Sequence, residues 1–109
     1  MPTTTLTTIF QHAIAVADTD ELMYTCPAST TVQIPGVNVC NRGGAATFRL
    51  WKVLSGGSTE AKQYKAYDQA IAANMPFYSS AYTLNAGDKL YGRANSNTMT
   101  FGADGAVMT

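Results

Sequence analysis

The sequence predicts an all-β fold, an antiparallel β-sandwich of jelly-roll or immunoglobulin-like type, in one domain spanning residues 1–109. Three observations lead there. Thr, Val, Tyr and Phe are abundant and gather in short runs, and the runs are cut at close intervals by Gly, Pro, Asn and Asp. The cuts have turn chemistry: "NRGG" (Asn41 to Gly44) and "SGGS" (Ser55 to Ser58) can supply positive φ, and "NAGD" (Asn85 to Asp88) sets Asn and Asp around Gly87. Nine short runs result, which suits a sandwich of this size.

In chain order the runs predict strands over Thr8 to Val16, Glu21 to Cys26, Thr31 to Asn41, Thr47 to Leu54, Gln63 to Tyr67, Met75 to Thr83, Lys89 to Ala94 and Thr98 to Gly102, with a short last one near Ala106. Within the third, Val32 and Ile34 share one parity and Val37 and Val39 the other, with Pro35-Gly36 between. A bulge at that dipeptide returns both pairs to one face. In the fourth, Phe48 and Leu50 pointing inward turn Arg49 and Trp51 outward. The fifth is contested. Residues 59–75, "TEAKQYKAYDQAIAANM", are rich in helix formers, and Ala61, Tyr64, Tyr67 and Ile71 fall at helical intervals, so propensity alone predicts a helix. Tyr64 and Ala66 also alternate with Lys65 and Tyr67, as a strand requires.

Hydrophobic residues make up 46% of the chain and charged residues 13%, about half the usual share of charge. A folded chain of 11.6 kDa exposes roughly 5,800 Å². Its seven basic and seven acidic side chains therefore leave on the order of one charge per 400 Å². With a formal net charge of zero, little opposes association between copies. The basic residues are scattered, with only Lys62 and Lys65 close together, so no patch for nucleic acid forms. The first ten residues hold no basic residue and no long apolar run, and no stretch has the length of a membrane span, so neither a secretory signal nor a membrane anchor is expected. In a reducing compartment Cys26 and Cys40 are expected as unlinked thiols with at least one in the core, and without a CxxC spacing they do not form a structural zinc site.

Little in the chain carries chemistry. His12 is the one histidine, with no Ser or Cys near it in sequence to activate, and reads as structural. "DTDE", Asp18 to Glu21, lacks the glycine and closing Glu of an EF-hand and reads as a solvated turn. No catalytic, cofactor or metal residues are assigned, and an enzyme is not expected. The aromatic residues are more informative. Arg49, Trp51, Tyr67, Tyr82 and Tyr91 are the candidate interface residues, with an outward Trp51 open to three uses: an anchor in a contact, a platform for a sugar ring, or a residue covered by a second layer of the same chain.

Read end to end, "YTCPA" (Tyr24 to Ala28), Val39 to Asn41, Thr47 to Arg49, Tyr67-Asp68, "LNAGD" (Leu84 to Asp88) and a last strand of small residues follow one another in an order that resembles a group of small structural proteins of tailed bacteriophages. The resemblance covers most of the chain. It implies a β-sandwich, which favours a strand over Gln63 to Tyr67, and no catalytic residues. It also implies a place in the virion for a protein made in the host bacterial cytoplasm. The expected role is a decoration protein that bridges capsid subunits. Neck, tail or fibre attachment and a glycan-binding adhesion module are the alternatives. Expected partners are major capsid or neck and tail proteins and copies of the chain itself, as a trimer if the oligomer follows local lattice symmetry; a host surface glycan is a further possibility.

Overall fold

A computed structural model of the chain describes residues 3–109. Ten strands follow in order: β1 (Thr4–Ala13), β2 (Glu21–Thr25), β3 (Thr31–Ile34), β4 (Asn38–Asn41), β5 (Ala46–Val53), β6 (Tyr64–Ile71), β7 (Pro76–Tyr78), β8 (Tyr82–Leu84), β9 (Lys89–Ala94) and β10 (Met99–Met108). They form two antiparallel sheets. In the first, β3 and β4 lie end to end along one side of β10, β8 and β7 lie along them, and β1 takes the other side of β10. The second has the order β2-β9-β5-β6.

The pairings nest. β1 pairs with β10, β2 with β9, β3 and β4 with β8 and β7, and β5 with β6. Such a chain is one long antiparallel ribbon, hairpinned between β5 and β6 and rolled so that its turns alternate between two layers. Contacts between β10 and β3–β4, and between β9 and β5, close the roll. This is the jelly-roll connectivity, and it selects that member of the predicted pair over the immunoglobulin order.

The bulge expected at Pro35-Gly36 is present. Gln33 pairs with Ala106 and Asn38 with Gly102, so Ile34 to Val37 stand opposite the shorter run Ala103 to Gly105. The extra residue switches parity, and Val32, Ile34, Val37 and Val39 all enter the core at 1% exposure or less. Gly36 is required by close approach, since a Cβ there would meet the Ser79 carbonyl oxygen at 2.6 Å. Across the gap the Val37 N–H donates to Ser79 Oγ at 2.9 Å and the Ser79 N–H to the Val37 carbonyl at 3.0 Å. Ser79 to Ala81 thus interrupt the neighbouring strand at the same level, which is why the expected run Met75 to Thr83 is two short strands.

Phe48 and Leu50 point inward as expected; Phe48 meets Phe77 and Phe101 edge to face at 5.0 and 5.8 Å. Gln63 to Tyr67 is extended, as part of β6, and the helical signal survives only as a 3-10 turn at Ala61–Gln63. Other boundaries move. The first strand begins at Thr4 and ends at Ala13, because the chain beyond is bent back by Glu21, whose carboxylate accepts the N–H groups of Ala15 and Val16 at 2.9–3.1 Å. The last two runs merge into β10, whose small residues pair on both flanks. Cys26 and Cys40 are free thiols, as expected. Cys26 is buried and Cys40 exposed.

Candidate functional site

The outer face of the second sheet gathers four of the five candidate interface residues. Inward Leu50, Leu90, Gly92 and Ala94 turn Arg49 and Trp51 on β5 and Tyr91 and Arg93 on β9 outward. Trp51 is directly opposite Tyr91 on one side and Tyr64 on the other. It stacks on Tyr91 with ring centroids 5.7 Å apart and packs against Tyr64 at 5.0 Å, and Tyr64 meets Tyr67 edge to face at 4.8 Å.

Trp51 points outward from its sheet yet has no exposure at all, which corrects its reading as an exposed anchor or platform. The segment between β5 and β6 folds back over it, and its indole Nε1–H donates to Thr59 Oγ1 at 3.0 Å. Gly57 of that segment passes over Val53, the other outward residue at that end. The intrachain cover is the use that the fold makes of Trp51.

Arg49 is likewise engaged within the chain. It faces Arg93 across the β5–β9 ladder, a like-charge pair that would repel if bare. Two carboxylates neutralise it: Asp68 accepts from Arg49 Nε at 2.7 Å and Nη2 at 3.3 Å, and Asp20 accepts from Arg93 Nη1 at 3.2 Å. Asp68 reaches Arg49 because Tyr67 and Asp68 together stand opposite Arg49 alone, and Asp68 takes a left-handed φ of 48° in that bulge. The guanidinium lies 4.1 Å from the centroid of the Tyr67 ring. The hydrogen bonds from Arg49, ahead of a smaller opposing effect of burial, hold the Asp68 carboxyl below its ordinary value, and those from Asp68 raise Arg49. Asp68, Tyr64 and Thr59 were missed as members of this cluster. The Tyr67-Asp68 dipeptide signals a bulge only once its partner strand is known.

Tyr82 does not belong to this face. It lies on β8 in the other sheet at 4% exposure, so its assignment to an interface is also corrected. Among the described residues its hydroxyl has no hydrogen-bond partner, and burial raises its pKa. Lys65 extends from β6 over the Tyr82 ring at 3.8 Å and donates to the Ala81 carbonyl, while Lys52 Nζ donates to the Thr83 carbonyl at 3.0 Å. Burial, and then the nearby charge of Lys52, lowers the Lys65 pKa. The two lysines tie β5 and β6 to β8 across the open side of the sandwich.

With Trp51, Arg49 and Tyr82 engaged internally, Tyr67 is the most exposed of the five candidates, at 58%. The more open surface is on the first sheet. Asp104 is the one charged residue in its six strands, whereas the four strands of the second sheet hold Glu21, Arg49, Lys52, Lys65, Asp68, Lys89 and Arg93. Its outer face presents Thr, Gln, Asn, Gly and Ala together with Leu6 at 82% exposure and Tyr78 at 72%. Among the described residues no three His, Cys, Asp or Glu side chains gather in a metal-binding group, and no helix is long and apolar enough to cross a membrane. The surface offers contact area and hydrogen bonds. No family model, curated protein or solved structure matches this chain.

Proposed function

We propose that the chain is a non-enzymatic structural component of a tailed-phage virion, made in the host bacterial cytoplasm, that decorates the capsid and stabilises it by bridging neighbouring subunits. The observation that carries this reading is the segregation of charge: the strands of one whole layer of the jelly roll hold Asp104 as their single Asp, Glu, Lys or Arg, and its outer face leaves Leu6 and Tyr78 uncovered. A face of this kind gains by being covered, at roughly 25 cal/mol for each Å² of apolar surface removed from water. Separating two subunits bridged by such a protein re-exposes that area as well as the subunits' own contact. A neck, tail or fibre-attachment position would use the same face on a ring. The glycan-binding alternative loses its central platform, because Trp51 is roofed by its own chain.

Particle composition tests the proposal. Phage particles carrying the gene are purified, stoichiometry is measured by mass spectrometry, and the chain is located by cryo-EM. Many copies bound across subunit boundaries of the shell are the expected result. Absence from the particle would end the proposal, and a single ring at the neck or tail would move it there. Saturable binding on a glycan array that disappears with Tyr67→Ala would favour adhesion instead.

A further inference from the structure

We infer that β1 is a docking edge for a second copy of this chain, and that two copies pair antiparallel about a two-fold axis at Leu6, joining their first sheets into one. The inference does not depend on the virion role.

The four sheet edges differ in how they are protected. β2 has five residues, a register shift between Leu22 and Tyr24, and the charged Glu21. β6 carries Lys65 and Asp68 and two register shifts. The β7–β8 edge starts at Pro76 and is interrupted over Ser79 to Ala81. These are the devices by which natural sheets prevent edge-to-edge pairing. β1 has ten residues with no Asp, Glu, Lys, Arg or proline, and its one irregularity is the shift between Thr8 and Phe10. Among the described residues it pairs with β10 alone, so its other side presents unpaired backbone groups.

The regular stretch before that shift is Thr4-Thr5-Leu6-Thr7-Thr8, exposed throughout, and it reads the same in both directions. An isologous contact requires that each residue's partner make the reciprocal contact. Centred on Leu6, antiparallel pairing sets Thr4 against Thr8 and Thr5 against Thr7 from both sides, so each pair flanking the axis is Thr with Thr, a favourable cross-strand combination. Leu6 meets its own counterpart. Leu6 is the most exposed large apolar residue described, and it is opposite Ala106 on β10, beside a shallow, largely apolar depression bordered by Gln33, Pro35, Asp104 and Gly105. Pairing converts that depression into a continuous row, Ala106, Leu6, Leu6 and Ala106, across the joined sheet. A trimer built on this edge would need β1 to meet a different edge of its neighbour, and the other three are blocked.

Light scattering on the full chain at tens of micromolar, with Leu6→Lys and Leu6→Glu variants, tests the pairing. Wild type is expected at twice 11.6 kDa. Each variant alone is expected as a monomer, at least tenfold weaker in association, with wild-type circular dichroism because Leu6 is exposed. An equimolar mixture of the two variants should recover the dimer, since only a two-fold through residue 6 sets Lys opposite Glu. In a Cys40→Ser background, Leu6→Cys should cross-link to dimer on mild oxidation, because facing Cα atoms in an antiparallel ladder are about 4.5–5.5 Å apart, within reach of a disulfide. A monomeric or trimeric wild type, dimers that persist in either variant alone, or a mixture that stays monomeric would each overturn the inference. None of these outcomes bears on particle composition, so the virion proposal stands or falls separately.

Discussion

Trp51 shows how far a single residue can be read from its strand. Its parity against Phe48 and Leu50 gives the correct direction, outward, while its cover comes from Thr59 in a segment that sequence alone leaves unplaced. Trp51→Ala should therefore cost about 3–5 kcal/mol of folding stability, measured by urea unfolding, and should leave association of the folded fraction unchanged. A similar logic separates the thiols. Burial, followed by the nearby charge of Asp88, pushes the Cys26 thiol up, and Cys26 Sγ donates to the Thr30 and Leu84 carbonyls at 3.4 and 3.6 Å. A thiol reagent should label Cys40 in the native protein and Cys26 only after denaturation, with no reductant needed for either. Glu21 supplies the pH dependence. Burial raises its pKa, but the Val16 N–H, His12 and the Ala15 N–H together outweigh burial and leave it below its ordinary 4.5. A depressed carboxyl contributes stability that is complete above its unfolded pKa and is lost as the pH falls through the folded one, and Asp68 acts with the same sign. Melting temperature should accordingly fall on acidification below about pH 4.5, and Glu21→Gln should flatten part of that decline while leaving the neutral range lower than wild type.

At the scale of elements, the rhythm of β-branched and aromatic runs was legible, and so was the bulge at Pro35-Gly36, because alternation that changes phase across a Pro-Gly dipeptide has few other solutions. What was not legible is pairing. The interruption at Ser79 to Ala81 exists because that segment lies beside the bulge, a neighbour more than forty residues away in sequence. Residues 59–75 show the same limit: Glu60 and Gln63 close one helical turn, the Glu60 N–H donating to Gln63 Oε1 at 2.8 Å, and then the ladder to β5 takes over and propensity loses. Asn41 is the least anticipated piece. Fully buried, its amide donates to the Gly44 carbonyl at 2.8 Å and the Ala72 carbonyl at 3.3 Å, and its oxygen accepts from the Gly43 N–H and Thr98 Oγ1 at 3.0 Å, so one side chain fastens three loops. The sequence marked it as a strand end opening the Asn41 to Gly44 turn, with no sign of its burial. The bulge itself can be tested: Gly36→Ala drives a Cβ against the backbone oxygen of Ser79, which has no rotamer by which to move away, and should destabilise by about 1–3 kcal/mol with circular dichroism still that of a β protein. Unchanged stability would mean that the bulge is looser than the Val37–Ser79 hydrogen bonds imply.

The whole molecule divides its charge between two faces, a division visible only once strands are assigned to sheets. Composition announced that charge was scarce; the jelly-roll order decides that nearly all of what remains in strands sits on the β2-β9-β5-β6 layer, where part of it is taken up in pairs such as Arg49 with Asp68 and Arg93 with Asp20. Association through either face should then differ in its response to salt. A contact on the second sheet would bring Arg93, Lys89 and their carboxylates close to a partner, and raising the ionic strength would screen it. A contact through β1 involves threonines, leucine and backbone hydrogen bonds, with Asp104 one strand inward from the edge. The dimer dissociation constant, measured by sedimentation at about 0.05 M and about 0.5 M sodium chloride, should change by less than about threefold, although the Debye length shortens from about 14 Å to about 4 Å over that range. A tenfold or greater weakening in high salt would place the contact on the charged sheet, and association that tightens with salt would accord with apolar burial around Leu6.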